Sequence, residues 1–385
     1  MKVLKQVFAV CAVGLGSLPQ RLATSMVIVA GTACVVAVLL SMLSVTVGMT
    51  RAVQAGGDAS RAMVRPKGFS YEWNGALDRN AVGEIMNAPG IATAPDGRPL
   101  VDAESVMTLL PPAGYVQGSL QLRAIGAKGT ALRPGFRIVS GRMFREGAQE
   151  VVVGVGLARK FGYAVGGKLV MPSGAWPIVG VFASGGDVIE GWFLGDAETV
   201  LSAARLDHFG SALVQLINAD AYPAFESWLT TNPALSVEVE RQTDFQARQL
   251  GSMVTVFTRM SYGIGVLMAL GALFGAVKIM YAAVRARTRE IGTLRALGFG
   301  GAAVATSVLV ESIALSLAGA AIGAFIAWVI FDGREVFVWG VFRLSVPAPL
   351  IGLGLAWGVA ISLLGGVLPA IRAARIPAIE ALRAA

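Results

Sequence analysis

Long runs without charge alternate along this chain with one stretch in which apolar and polar residues change every few positions. Leu22 to Thr50 holds no charged residue. A second run, Val254 to Val284, is apolar throughout Ser261 to Val277, with Arg259 near one end and Lys278 near the other. A third, Ala302 to Phe331, carries the single charge of Glu311, and a fourth, Leu344 to Ile371, carries none. A bilayer core takes about 20 apolar residues in helical form, and it tolerates only backbones that satisfy their own hydrogen bonds. The pattern therefore predicts four transmembrane helices, at residues 22–50, 254–284, 302–331 and 344–371. Short connections at 285–301 and 332–343 separate the later spans, with ends at 1–21 and 372–385. The predicted fold class is integral membrane α-helical, four transmembrane helices, with an α+β extracytoplasmic domain (residues 51–250) inserted between helices 1 and 2.

Within that domain Gly, Pro and Asp clusters punctuate the chain, as at Ala88-Pro89-Gly90 and Pro95-Asp96-Gly97. Its later half reads as strands at Val151–Val153, Lys168–Met171, Trp176–Phe182 and Leu213–Ile217, with a turn at Pro172-Ser173-Gly174. Helices are expected at Leu157–Phe161 and Asp196–Ala204, and from an Asp220 cap through Trp228 with Pro223 in the first turn. Ser236 to Glu240 alternates like a half-buried strand. The earlier half carries no comparable signal.

Charge orients the spans. Charged residues make up 15% of the chain, against about 25% in a soluble domain, and the formal net charge is +8. The N-terminal segment has Lys2, Lys5 and Arg21. The loop after the second span has Lys278, Arg285, Arg287, Arg289 and Arg295 against Glu290, and the tail has Arg372, Arg375 and Arg383 against Glu380. The inserted domain has 18 basic and 19 acidic residues. All the excess sits on one face, which the positive-inside rule places in the cytoplasm. The expectation is a bacterial inner-membrane protein with both termini cytoplasmic, its charge a topology signal and not a nucleic-acid footprint. Met1 to Gly16 imitates a signal peptide, but no small-x-small site follows, and an uncleaved amphipathic helix on the membrane surface is expected over residues 1–21.

Candidate chemistry is sparse. Cys11 and Cys34 both lie outside the inserted domain, so no disulfide or thiolate metal site is expected there. His208 is the one histidine, read as solvated. Gly162 to Lys168 reads G-x-x-x-x-G-K, but Leu169 follows where a phosphate loop needs Ser or Thr, leaving a glycine turn before a strand. No catalytic constellation, cofactor site or metal site is predicted on this chain, and the protein is not expected to be an enzyme. Three G-x-x-x-G pairs, Gly271/Gly275, Gly319/Gly323 and Gly354/Gly358, permit close helix approach within the chain or with a partner.

The informative segment is the loop Arg285 to Gly300. Ile291, Leu294 and Leu297 recur at helical spacing with Arg289, Glu290 and Arg295 off that stripe, and Gly298 and Gly300 are placed to end the helix. This suits a short amphipathic helix on the membrane surface. Arg287 to Gly298, R-T-R-E-I-G-T-L-R-A-L-G, resembles the coupling-helix signature of ABC permeases of the MacB/FtsX/LolC type. Glu311, the glycine-rich Gly319 to Gly323, and Pro369 to Arg383 continue that pattern. Ser140 to Phe144, Glu150 to Gly154 and Ile178 to Phe182 are similar to the family's extracytoplasmic domain.

The resemblance implies a dimeric permease (two copies, or this chain with a related permease) that docks two ABC ATPase subunits. ATP and Mg would be bound on those partners, and movement would be relayed to the outer domain. Arg289, Glu290, Ile291, Gly292, Leu294, Arg295, Leu297 and Gly298 would form the ATPase-coupling element, with Glu290 and Arg295 making charged contacts. The MacB arrangement, with the ATPase ahead of span one, does not fit the 21 residues here, so the ATPase is expected on another chain. The function implied is export or extraction of an amphiphile, lipid, lipoprotein, peptide or drug, with membrane lipid around the spans and a periplasmic adaptor and outer-membrane channel as further partners. The alternative is a non-transporting FtsX-like regulator of an extracellular partner such as a cell-wall hydrolase. Glu311, costing about 3 kcal/mol in a span, is read as structural and paired with Lys278, with an ion path as the other reading.

Overall fold

The computed structural model describes residues 22–69, 72–110, 119–133, 135–337 and 341–375, with Phe8, Val10 and Gly16; the rest of the expected N-terminal helix and the tail beyond Arg375 lie outside the described residues. In chain order, α1 (Leu22–Gly56) leads into β1 (Arg61–Pro66), α2 (Arg79–Ile85), β2 (Val101–Leu109), β3 (Leu120–Ile125) and β4 (Arg137–Gly141). Then follow β5 (Val151–Gly154), α3 (Val155–Phe161), β6 (Lys168–Met171), β7 (Gly174–Ala183), β8 (Phe193–Asp196) and α4 (Ala197–Ala204). The domain closes with β9 (Ser211–Gln215), α5 (Tyr222–Thr231) and β10 (Val237–Arg241). The chain continues through α6 (Gln242–Ala286), α7 (Thr288–Ala296), α8 (Gly301–Phe331), the hairpin β11 (Glu335–Phe337) and β12 (Val341–Arg343), and α9 (Ala348–Ala374).

Two compact units result. Among the described residues one takes in 22–46, 256–332 and 345–375; the other is residues 47–255 with 333–344. Among the described residues four helices are long and apolar enough to cross a membrane: Ser25–Gly56, Met253–Ala286, Gly301–Phe331 and Ala348–Ala374.

In the helical unit α1 is the packing centre, with Val35, Val36, Leu39, Leu40 and Leu43 all buried. Glycine sets how closely its neighbours approach. A Cβ on Gly319 would lie 2.5 Å from the Val29 carbonyl oxygen, and one on Gly323 would lie 2.3 Å from that of Ala33. Gly354 packs on Val36 and Leu40, and Gly358 on Ala320. Two of the three G-x-x-x-G pairs are thus used within the chain, whereas Gly271 and Gly275 on α6 meet nothing within 4 Å. Ser362 donates to Ser312 across α8 and α9 at 2.9 Å, an interhelical bond of the kind spans use as glue.

The inserted domain is built on a mixed sheet of ten described strands, ordered β10-β1-β9-β2-β3-β8-β5-β7-β4 with β6 paired to β7. β3–β8 and β5–β7 are parallel and the other pairs antiparallel. β2 changes partner midway: residues 101–104 pair with β9 and 105–109 with β3. One face carries the main apolar core. Ala62, Val64, Val101, Leu120, Leu122, Ala212 and Val214 meet Val82 and Ile85 of α2, Leu157 of α3, Val200 and Leu201 of α4, and Phe225 and Leu229 of α5.

Local chemistry fixes the helix ends. The Asp196 carboxylate accepts from the Thr199 amide at 3.1 Å and starts α4. Gly162, at φ +73°, ends α3 where a side chain would be strained, which is the role of the near-miss phosphate-loop segment. At α5 the outcome differs from expectation: the helix has no side-chain cap, because Asp220 lies inside a 3-10 turn over Ala219–Ala221 that precedes it, and Asn218 caps that turn by accepting the Ala221 amide at 2.9 Å. His208 pairs with its neighbour Asp207 at 2.9 Å.

Candidate functional site

Three strands that look solvent-facing by sequence assemble the most unusual chemistry of the domain. Side chains alternate across a sheet with period two. Ala62 and Val64 enter the core, so Arg61, Met63 and Arg65 face the other way. By the same alternation Asp102, Glu104 and Val106 on β2, and Gln121 and Arg123 on β3, share that face, since Met63 pairs with Leu213, Leu213 with Asp102, and Val106 with Arg123. This face is covered, not solvated: Arg61, Arg65, Asp102, Glu104 and Arg123 are all buried.

Buried charges persist only when paired and hydrogen-bonded, and here they are. Arg123 holds Glu72 with both terminal nitrogens, at 3.2 and 2.6 Å, and also donates to Glu104. Arg133 donates to the second Glu104 oxygen at 2.7 Å. Ser211 donates to Glu72 at 3.3 Å, Arg61 donates to the Leu132 carbonyl at 2.7 Å, and the Trp192 ring lies 4.9 Å from the Arg123 guanidinium carbon. Burial opposes ionisation of Glu104, yet Arg133 and Arg123 overcome it and hold its carboxyl below its usual range. Burial and the Glu104 charge push the Asp102 carboxyl up from its ordinary value, and it accepts from the Gly126 amide at 3.2 Å. Glu72 and Glu104 are thus each engaged by arginine, an arrangement suited to a fixed wall.

Against this wall lies a cavity of about 380 Å³, bounded by the strand face, the last turn of α1, the first turns of α6, and Trp73, Trp192 and Phe342. Gln242, Phe245, Gln246, Gln249 and Met253 line it from α6, a spacing that puts them on one helix face. Asp187 also borders it, its carboxyl pushed up to about 6 by burial.

The loop singled out by sequence folds as α7, Thr288–Ala296. Ile291 and Gly292 are buried, Leu294 and Arg295 half-buried, and Arg289, Glu290 and Gly298 exposed. Leu297, placed by its spacing on the apolar stripe, is 72% exposed, because α7 ends at Ala296 and Leu297 stands outside its last turn. Gly298, at φ +93°, makes the stop. Arg295 lies beside Gly301, where a side chain would meet Arg295 and the Ala374 carbonyl. Of the three charged residues expected off the apolar stripe, Arg289 and Glu290 are exposed and Arg295 is half-buried.

The Glu311 partner also differs. Its carboxylate accepts from Arg287 at 2.7 Å, with the two side chains 10% and 12% exposed. Lys278 is exposed. Ala276, Met280 and Val284 form the buried stripe of α6, and Lys278, two residues from Ala276 and from Met280, is turned about 200° from it. Arg287 also lies 3.9 Å from Glu290, so one guanidinium joins the start of α7 to the middle of α8.

Residues 25–232 match the family model described as the MacB-like periplasmic core domain, and residues 262–378 that of the FtsX-like permease C-terminal. The chain is 26% identical over 381 residues to the macrolide export ATP-binding/permease protein MacB of Chromobacterium violaceum, across 89% of this chain and 58% of that protein. It is 26% identical over 382 residues to the pyoverdine export ATP-binding/permease protein PvdT of Pseudomonas fluorescens, across 89% and 56%. The chain spans a little over half the length of these curated relatives. Among solved structures, the periplasmic region of MacB from Actinobacillus actinomycetemcomitans aligns at 13% identity and a TM-score of 0.38, over 51% of this chain and 94% of that one.

Proposed function

This chain belongs to the MacB/FtsX-type family of ABC transporter permeases, and we propose that it couples ATP hydrolysis on a partner ATPase subunit to movement of its inserted domain. The observation that carries this reading is α7. It is a short helix between the second and third spans, fastened inward by Ile291 and the Arg287–Glu311 pair, with Arg289, Glu290 and Leu297 exposed. A docked ATPase would grip that exposed side, and push or pull on α7 would reach α8 through the ion pair. ATP and Mg would be held by the partner.

The charge excess of the loops supports a bacterial inner-membrane placement with α7 and both termini in the cytoplasm. Dimerisation is supported by the second span, of which 11% is buried against 33–44% for the other three. The domain cavity supports export or extraction of an amphiphile over a purely regulatory role.

Affinity purification from native membranes with mass spectrometry tests the reading. A stoichiometric ABC ATPase is expected, with any adaptor or outer-membrane channel beside it. No ATPase under ATP-trapping conditions would overturn the coupling role, and a co-purifying cell-wall hydrolase would replace transport with regulation.

A further inference from the structure

Five residues lining the domain cavity carry polar side-chain atoms with no hydrogen-bond partner among the described residues. They are Oε1 of Gln242, Oε1 of Gln246 and Nε1 of Trp192, with Nε of Arg61 and of Arg123, all shielded from solvent. Gln242 is only 7% exposed. A buried polar group without a partner is costly, and native folds keep few of them. Five around one cavity mark a surface shaped for something that supplies both donors and acceptors.

The charges around the cavity say what that something is not. Arg123 is held between Glu72 and Glu104, Arg133 is on Glu104, and Arg61 faces Asp58 at 3.6 Å. Asp187 accepts from the Ser184 hydroxyl. An anionic ligand would add its charge beside Asp58, Glu72 and Glu104, which already balance Arg61 and Arg123, and a cationic one would meet guanidinium groups along the wall. The remaining surface is apolar and aromatic: Trp73, Trp192 and Phe245, with Met63 and Leu213 of the sheet. The volume of about 380 Å³ lies within the range of roughly 300–1,000 Å³ typical of small-molecule sites.

We propose that this cavity binds an uncharged amphiphile, its apolar part against the aromatic walls and its amide or hydroxyl groups bonded to Gln242, Gln246 and Trp192. The inference deepens the transport reading above by naming a ligand class for the inserted domain. It also gives α6 a reporting role, since the helix that supplies both glutamines runs unbroken to Ala286.

The test uses the full chain in lipid nanodiscs with no ATPase present. Equilibrium dialysis measures N-decanoylglycinamide, an uncharged acyl amide, against its carboxylate counterpart N-decanoylglycine, with empty nanodiscs as background. Saturable binding of the amide is expected, at least tenfold tighter than the carboxylate. Gln242→Leu should weaken it at least tenfold. Ala55→Trp, which fills the cavity from an exposed position on α1, should abolish it without lowering the melting temperature. Absence of saturable binding, equal binding of the two probes, or wild-type binding by Ala55→Trp would overturn the proposal. Because no ATPase takes part, such a failure leaves the coupling reading standing, and failure to capture an ATPase leaves the ligand site standing.

Discussion

Arg287 and Glu311 illustrate how a charge is tolerated in an apolar bundle: each is almost enclosed, and each is the other's partner. Removing one member takes from the other its closest opposite charge, a loss of up to about 3–5 kcal/mol in buried pairs, although Arg287 keeps Glu290 at 3.9 Å. Glu311→Gln should therefore lower thermal stability by that order, and Arg287→Met with Glu311→Met should recover most of it; a double-mutant cycle on melts in detergent checks this. An ion-path role for Glu311 would instead show as Glu311→Gln melting like wild type with transport lost. In the inserted domain Asp187 makes a pH-dependent contribution. Its carboxyl sits at about 6 folded, against 3.8 for the free group. The folded state thus holds the proton more tightly, and this favours folding at low pH and is lost as pH rises from about 4 to 6. Asp187→Asn should gain melting temperature over wild type between about pH 4.5 and pH 7; a gap that shrinks with rising pH would contradict the assignment. The sequence could have revealed the buried cluster through the alternating Arg61-x-Met63-x-Arg65 and Asp102-x-Glu104 against small or apolar neighbours. Charge at every second position reads as a wetted face, and nothing local records that α6 and two tryptophans cover it.

Elements separate by the range of the forces that make them. The four long helices and most strands of the later domain half are legible because one periodic pattern decides each; β6 runs over the expected Lys168–Met171. α7 was legible for the same reason, although its partners were not: a two-residue offset on α6 turns Lys278 away, and Arg287 reaches back from the junction instead. β1 to β3, and the β11–β12 hairpin at Glu335–Arg343 where a plain loop is expected, depend on pairing with distant strands or on a short local match, and went unread. At the helix contacts, Gly323→Leu should cost about 1–3 kcal/mol or more as overpacking, because its Cβ would strike the Ala33 carbonyl. Gly271→Ala meets open space and should be neutral or stabilise by about 0.5–1 kcal/mol. Equal losses at both sites in melts of the purified chain would show that the α1–α8 contact is not what holds the bundle.

At the scale of the whole molecule α6 is one helix that runs from cavity-lining Gln242 to Ala286, next in sequence to Arg287 and α7. We propose that α7 receives work from an ATPase through its exposed charges. The most direct measurement is ATP turnover by the co-purified complex in nanodiscs, comparing wild type with the charge reversal Arg289→Glu/Glu290→Arg. The reversed chain is expected to insert and fold as wild type but no longer to stimulate the ATPase. Undiminished stimulation in that variant would contradict it.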